Sequence, residues 1–550
     1  MYIVSLSQRL VGARTRTLAT AFAMSIGAAA PVIAQDTARQ HEGHTATENE
    51  GSGREIPEMA REGSGTSWLP DESPMYAVHS MQGSWTLMFH ENAFLQYLHD
   101  SGDRGDHQLG SINWLMGMAQ RRVGSGRLGL RAMFSAEPWS IGGCGYPDLL
   151  ASGEECNGEK IHDRQHPHDL FMELAADYTA PIAGDVRWQV YAAPAGEPAL
   201  GPVAYPHRIS AMANPLAPIT HHWLDSTHIT FGVVTGGAYG KKWKAETSVF
   251  NAREPDEDRT NFDFAALDSF SGRLWLLPSS RLALQVSAGH LKEAEAGEGG
   301  GARIDVNRVT ASATYHSAFG ENSIWASTIA WGRNSEPDHA SNALVAETSV
   351  TLDGRDTWFG RFEIVGKTAD DLDVPDVLVR DVKGNEPYTL AKLQGGYSRY
   401  LPARNGFQAG LGAALSLSVV PEALKPAYGG RGNVGFAIYL TLRSAAMMHG
   451  PAAPVPTPVD HSQHGVPPQN QPAAPGTRSE TAPAPQRPTA QPRFPVAEAE
   501  RVVDPACAAK IDLVDGPRAT YQGKVYYLCS TADRDAFVKD PASYLRRHPQ

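Results

Sequence analysis

Seven of the twenty histidines fall between positions 162 and 228. The segment IHDRQHPHDLF holds His162, His166 and His168 beside Asp163 and Asp169. His207 follows in AYPHR, and THHWLDSTHITF carries His221, His222 and His228 with Asp225. His166 and His168 stand two apart, so an extended chain projects both imidazoles to one side. Imidazole with carboxylate suits Cu(II), Zn(II), Ni(II) or Fe(II) and does not suit Ca(II) or Mg(II). A ligating imidazole also needs a partner for its other ring nitrogen, and Asp163, Asp169 and Asp225 are close enough in sequence to supply one. Taken singly, each histidine reads equally as a hydrogen-bonding group in a polar interior. The stretch NAREPDEDR places Glu254, Asp256, Glu257 and Asp258 between Arg253 and Arg259. Such a cluster raises local cation concentration, but its plain reading is a solvated loop.

Methionine adds soft donors. Met75, Met81, Met88, Met116, Met118 and Met133 crowd the early chain. Met447-Met448-His449 and Asp460-His461-Ser462-Gln463-His464 come later, where packing gives no reason for them. Thioether suits Cu(I) and imidazole suits Cu(II), although methionine in a membrane strand also serves as lipid-facing filler. The late stretches resemble the Met/His-rich segments of bacterial copper-resistance outer-membrane proteins of the copper-resistance protein B type. That resemblance covers short motifs only, and it implies copper as the first metal, with zinc as the other.

The elements that must position these residues are strands. Between residues 71 and 449 one device recurs: about ten residues of period-2 alternation, then a turn. In 281–290, Leu282, Leu284, Val286 and Ala288 alternate with Ala283, Gln285, Ser287 and Gly289. In 433–443, Val434, Phe436, Ile438, Leu440 and Leu442 alternate with small or polar residues. About sixteen such runs are predicted, within a range of 12–18, near 84–96, 111–122, 126–136, 169–180, 186–194, 228–236, 241–252, 271–278, 281–290, 305–316, 322–332, 342–352, 356–366, 388–400, 406–418 and 432–443. A soluble sandwich uses strands of about 5–6 residues, whereas a tilted strand crossing a bilayer needs about 9–11. Sixteen long strands in an open sheet would also leave edges that invite aggregation, and closure removes them. The expected fold is all-β: an antiparallel outer-membrane β-barrel with a small β+α domain after a Pro-rich linker.

The boundaries follow from composition. Residues 1–34 carry Arg9, Arg14 and Arg16, then a small apolar run ending at Ala34, which is the layout of a secretory signal. Export makes disulfides possible, and Cys144 and Cys156, with eleven residues between them, are expected to pair. Residues 35–70 read as a disordered polar segment, 71–449 as the barrel, 450–498 as an extended linker and 499–550 as the tail domain. An even-stranded barrel places both chain ends, and hence the tail, on the periplasmic side.

The tail contains Asp504-Pro505-x-Cys507, Tyr521-x-Gly523-x-x-Tyr526-Tyr527-x-Cys529-Ser530, Phe537 and Pro541-x-x-Tyr544. It resembles the YHS domain, a small metal-associated module, over about a tenth of the chain. That resemblance implies heavy-metal association through Cys507 and Cys529. Ala508-Ala509 departs from the usual Gly-Met, and Asp533 stands where a last cysteine is expected. Metal binding by Cys507, Cys529 and Asp533 and a Cys507–Cys529 disulfide both remain open. The local pattern predicts a hairpin near 518–528 and a helix near 531–538.

A net charge of −12 argues against nucleic acid as a partner. No Ser-His-Asp order, phosphate-binding loop or His-Glu-x-x-His occurs, so binding rather than catalysis is expected. The expected partners are the outer-membrane bilayer and periplasmic metal carriers. The expected function is handling of a transition metal, copper first, in export or resistance. The alternatives are a passive porin without a metal role and a metal-dependent barrel enzyme. The latter needs an open metal position and a general base.

Overall fold

Sixteen runs of alternating residues hydrogen-bond edge to edge and close on themselves. The computed structural model describes residues 61–447, apart from 158, 298–300, 321, 376–377 and 380–385. It also describes 502–503, 510–511, 518–521, 524–527, 534 and 537–539. The barrel strands are β1 (Trp85–Asp100), β2 (His107–Val123), β3 (Gly126–Phe134), β4 (Phe171–Ala183), β5 (Val186–Ala195), β6 (Val233–Tyr239), β7 (Trp243–Phe250) and β8 (Ser269–Ser279). They continue with β9 (Leu282–Gly297), β10 (Gly301–Phe319), β11 (Ser323–Ser335), β12 (Ala340–Leu352), β13 (Asp356–Lys367), β14 (Tyr388–Tyr400), β15 (Phe407–Val419) and β16 (Gly432–Ser444). Each pairs antiparallel with its neighbours, and β16 closes on β1 from Gly435↔Asp100 to Arg443↔Asn92. The first five residues of β1 pair instead with a short strand, Val78–Gln82.

Alternation sorts the side chains by face. Leu274, Leu276, Val286, Ile329, Leu411, Val434 and Ile438 point outward, as does Leu415, 68% exposed. Arg273, Glu246, Arg361, Glu347, Lys392 and Gln394 point inward and are buried. A polar inside and an apolar outside invert the plan of a soluble protein and match a barrel solvated by lipid. The inward charges are paired: Arg273 reaches Glu246 at 2.9 Å and Glu197 at 3.2 Å, and Arg361 reaches Glu347 at 3.1 Å. Lys392 donates to Asp148.

Connections differ at the two ends. One end has tight turns, as at 124–125, 184–185 and 280–281; the other carries long loops, 135–170, 196–232, 251–268 and 368–387. Trp85 and Ser444 both lie at the tight-turn end. The 196–232 loop does not stay outside the wall. Its Ala199 and Gly201 amides donate to Ser248 and Ser287 at 2.7 and 2.9 Å. Ser210 meets Thr328 at 2.9 Å, Asn214 donates to Gln394 at 2.9 Å, and the Thr220 amide donates to Glu363 at 3.1 Å. Contacts to β7, β9, β11, β13 and β14 mean that this loop crosses the lumen as a plug.

Every predicted run has its strand. The largest shift of a start is in the run near 228–236, which begins at Val233, because His228–Gly232 belong to the plug. The segment assigned to disorder at 35–70 needs correction over its last ten residues. Arg61–Pro70 pack inside the barrel, with Trp68 and Leu69 buried, Glu62 held by Arg127 at 2.6 Å and Arg131 at 3.0 Å, and Arg131 donating to the Gly65 carbonyl. Polar composition there serves a polar lumen instead of solvent. Cys144 and Cys156 are bonded, with Cα atoms 5.8 Å apart, tying the entry of a loop hairpin formed by Tyr146–Cys156 and Glu159–Gln165 to its turn end, where Cys156 pairs with Glu159.

The tail unit is described only in pieces. Arg518–Tyr521 pairs with Lys524–Tyr527 as the expected hairpin, and Phe537–Lys539 is helical. The signal segment 1–34, the linker 450–498 and the tail residues Cys507, Cys529 and Asp533 lie outside the described residues.

Candidate metal centre

Five of the seven clustered histidines come together where the plug meets the loop hairpin. His221 is central. Its ring centroid lies 5.4 Å from that of His222, 5.1 Å from His228 and 6.4 Å from His166. His168 adjoins His228 at 5.4 Å, and His166 adjoins His222 at 5.8 Å. Two do not join. His162 stays on the hairpin, half-exposed, 3.4 Å from Asp373. His207 sits in a separate pocket, with its Nε2 3.4 Å from the Met133 sulfur.

The five differ in what their nitrogens already hold. His168 Nδ1 faces Glu137 at 2.9 Å and its Nε2 faces the Tyr205 hydroxyl at 3.0 Å. Burial alone would lower its pKa, but the Glu137 carboxylate outweighs that and raises it. With both nitrogens occupied, His168 is a structural group. His166 Nε2 lies 3.1 Å from Glu154, and burial drives its pKa well down. His221 Nδ1 is held by Asp225 at 2.8 Å, the orienting contact anticipated for a ligating imidazole. Burial pushes Asp225 up, but Arg208, at 2.6 Å, and His221 hold it well below the ordinary carboxylate range. His228 Nδ1 faces the Asp225 carbonyl at 2.8 Å, and its buried Nε2 has no hydrogen-bond partner.

His222 has the most to offer a cation. It is 7% exposed, and its Nδ1 lies 3.3 Å from Glu254. Its Nε2 is buried without a hydrogen-bond partner. Ligand atoms of His222, Glu254 and Glu295 all lie within 4.8 Å of one another. If Nδ1 donates to Glu254, Nε2 carries a lone pair. That tautomer is inferred from the contact. Burial lowers the His222 pKa and raises that of Glu254 to about 7. A neutral imidazole and two carboxylates supply three acceptors and no cation among themselves. A cavity of about 50 Å³ opens there, bordered also by Glu154, Glu336 and Lys160. Local backbone makes room for the ring: Gly153, at φ +121°, packs so close that any Cβ would overlap His222.

Sequence reasoning named Glu254 only within an acidic stretch able to attract cations, with a solvated loop preferred, and missed Glu295. Glu254 was read into a solvated loop, yet it turns inward beside His222, and Arg259 from the same stretch is buried against Glu154. Glu295 ends the inward row of β9. No signal short of the folded register marks either one.

Ligand chemistry follows from the set. One imidazole and two carboxylates suit a divalent transition ion such as Zn(II) or Cu(II) better than Cu(I).

No family model matches the chain, and no curated protein matches it. Solved structures share the barrel shape. The anion-selective porin from Comamonas acidovorans is 11% identical with a TM-score of 0.40, covering 66% of this chain and 99% of that one. Salmonella typhi OmpF, in complex with daunomycin, is 10% identical at 0.39, covering 66% and 100%. Pseudomonas putida OprB, in a high-pH structure, is 8% identical at 0.40, covering 66% and 94%. The chain is an outer-membrane-type barrel by its own topology and faces, and nothing about cargo passes from these likenesses.

Proposed function

We propose that this barrel resides in the outer membrane and binds a divalent transition-metal ion, Cu(II) or Zn(II), inside its plugged lumen. The observation that carries the reading is the His222–Glu254–Glu295 group, whose ligand atoms lie within 4.8 Å of one another, on a ring whose buried Nε2 has no hydrogen-bond partner. An unpartnered buried polar atom costs about 1–3 kcal/mol, and an ion bound there removes that cost. His221 and His166 stand behind the His222 ring as further imidazoles, with centroids 5.4 and 5.8 Å from it. By the rule that tight turns face the periplasm, Trp85 and Ser444, where the chain enters and leaves the barrel, lie on that side. Copper in particular is supported by the sequence resemblances in the linker and tail.

A passive porin without a metal role is the second reading. It is favoured by the ion pairs that already satisfy most inward charges, such as Arg273 with Glu246. Against an open passage stands the plug, which meets at least five strands of the wall.

The test is metal content and calorimetry on the purified full chain with Zn(II) and Cu(II). The expected result is one tight divalent ion that His222→Ala weakens by about 100-fold or more, beyond what loss of a supporting contact costs. Absence of a stoichiometric ion, or unchanged binding by His222→Ala, returns the protein to the porin reading.

A further inference from the structure

A second group of donors lies in the wall of β1, β2 and β3, with a different chemistry. Strand register sets Met88 opposite Met118 and aligns His90, Met116 and Met133 in one row across the three strands. Met88, Met116, Met118 and Met133 are 2–8% exposed, so they face the lumen and are not lipid-facing filler. His207 descends from the plug onto this row. Its ring centroid lies 5.6 Å from that of His90, and Trp114 borders both, at 5.1 Å from His90 and 4.9 Å from His207. His207 Nε2 is 3.4 Å from the Met133 sulfur, and the buried Nε2 of His90 has no hydrogen-bond partner. A cavity of about 70 Å³ opens among Met88, His90, Met116, Met118, His207 and Met212.

Apolar packing explains methionine beside tryptophan. It does not explain the buried His90 Nε2 left without a hydrogen-bond partner, which is costly, beside a His207 Nε2 turned onto the Met133 sulfur. Glu62 also borders the cavity, but Arg127 and Arg131 hold it at 2.6 and 3.0 Å. The free donors are therefore sulfur and imidazole nitrogen.

We propose that His90, His207, Met116 and Met133 form a binding site for a cuprous ion in the lumen wall. Thioether and neutral imidazole are soft and borderline donors that select Cu(I) over Zn(II). The site uses none of the residues of the divalent centre and does not rest on it.

The test uses the full chain carrying Cys507→Ser and Cys529→Ser, so that no tail thiol competes. It is titrated with Cu(I) under argon with ascorbate, against a chromophoric cuprous chelator. The expected result is one equivalent of Cu(I) withheld from the chelator. Combined Met116→Leu and Met133→Leu, which nearly conserve volume, remove two of the four ligands and should weaken it about 100-fold or more, beyond what loss of a supporting contact costs. His222→Ala should leave it unchanged. The proposal is overturned if the parent withholds no Cu(I), if the double variant binds like the parent, or if His222→Ala abolishes binding. Should the double variant fail to show the heat-dependent gel shift of a folded barrel, X-ray absorption on the Cu(I)-loaded parent decides. Sulfur neighbours to copper are expected, and a shell of nitrogen and oxygen alone overturns the site.

Discussion

The chamber around His222 and the row around His90 are both buried, both histidine-bearing and both roofed by the same plug. They differ in the partner atoms that surround the imidazoles. At His222 the neighbours are carboxylates from a loop and a strand end. At His90 they are thioethers fixed by strand register. The first set carries negative charge and binds protons; the second carries neither. One fold thus offers a site for a divalent ion and a site for a soft monovalent one, and the two must respond differently to geometry, pH and sulfur replacement.

The largest separation should come from Gly153→Ala. The added Cβ overlaps the His222 ring, and φ +121° is a backbone conformation that alanine resists. The ring must move. Divalent affinity measured by calorimetry should fall about 10- to 100-fold, as when a ligand loses its orienting support. Cu(I) affinity should stay put, because Gly153 does not border the methionine cavity. Equal loss at both sites would mean that the plug moves as one body, and the comparison would fail.

Much of this contrast was open to sequence reasoning, and some was not. Period-2 alternation with long runs exposed the barrel because lipid outside and a polar lumen inside impose that pattern on each strand. The register of the soft row was readable too: the tight turn at Gly124-Ser125 folds β2 onto β3 and sets Met116 against Met133. The plug left no such mark. Residues 196–232 carry Pro, Gly and His without a period, since their packing is dictated by the wall they touch and not by a repeating face. Five histidines of the window lie near one another, but which nitrogens are free was not legible. His168 is saturated by Glu137 and Tyr205, His207 belongs with the methionines, and His162 stays outside. Those assignments depend on contacts between residues far apart in the chain, such as Glu137 with His168 or Glu295 with His222.

Acidity should sharpen the comparison further. Burial raises Glu254 to about 7. Below that pH the carboxyl holds a proton that an incoming ion must displace; above it the carboxylate is free. Divalent affinity should therefore rise with pH up to about 7 and then level off, with at least one proton displaced by the ion on the acid side. At the soft row the thioethers bind no proton, and His207 titrates only near 4. Cu(I) affinity should be nearly flat over the same range. Parallel slopes at the two sites would show that a shared group controls both.

The smallest expected effect tests whether position matters or only the presence of sulfur. Met172 is 1% exposed and belongs to the same apolar cluster as Met116 and Met133, yet it lies outside the row that register makes of His90, Met116 and Met133, since the β4 residue opposite Met133 is Glu173. Met172→Leu conserves volume and should cost less than about 1.5 kcal/mol of stability. If the cuprous site is the row itself, Cu(I) affinity should change by no more than about twofold, as for independent positions. A loss as large as that from Met133→Leu would mean that copper follows the sulfur content of the cluster and not the geometry of the row. The register argument would then give way to a diffuse, methionine-rich surface.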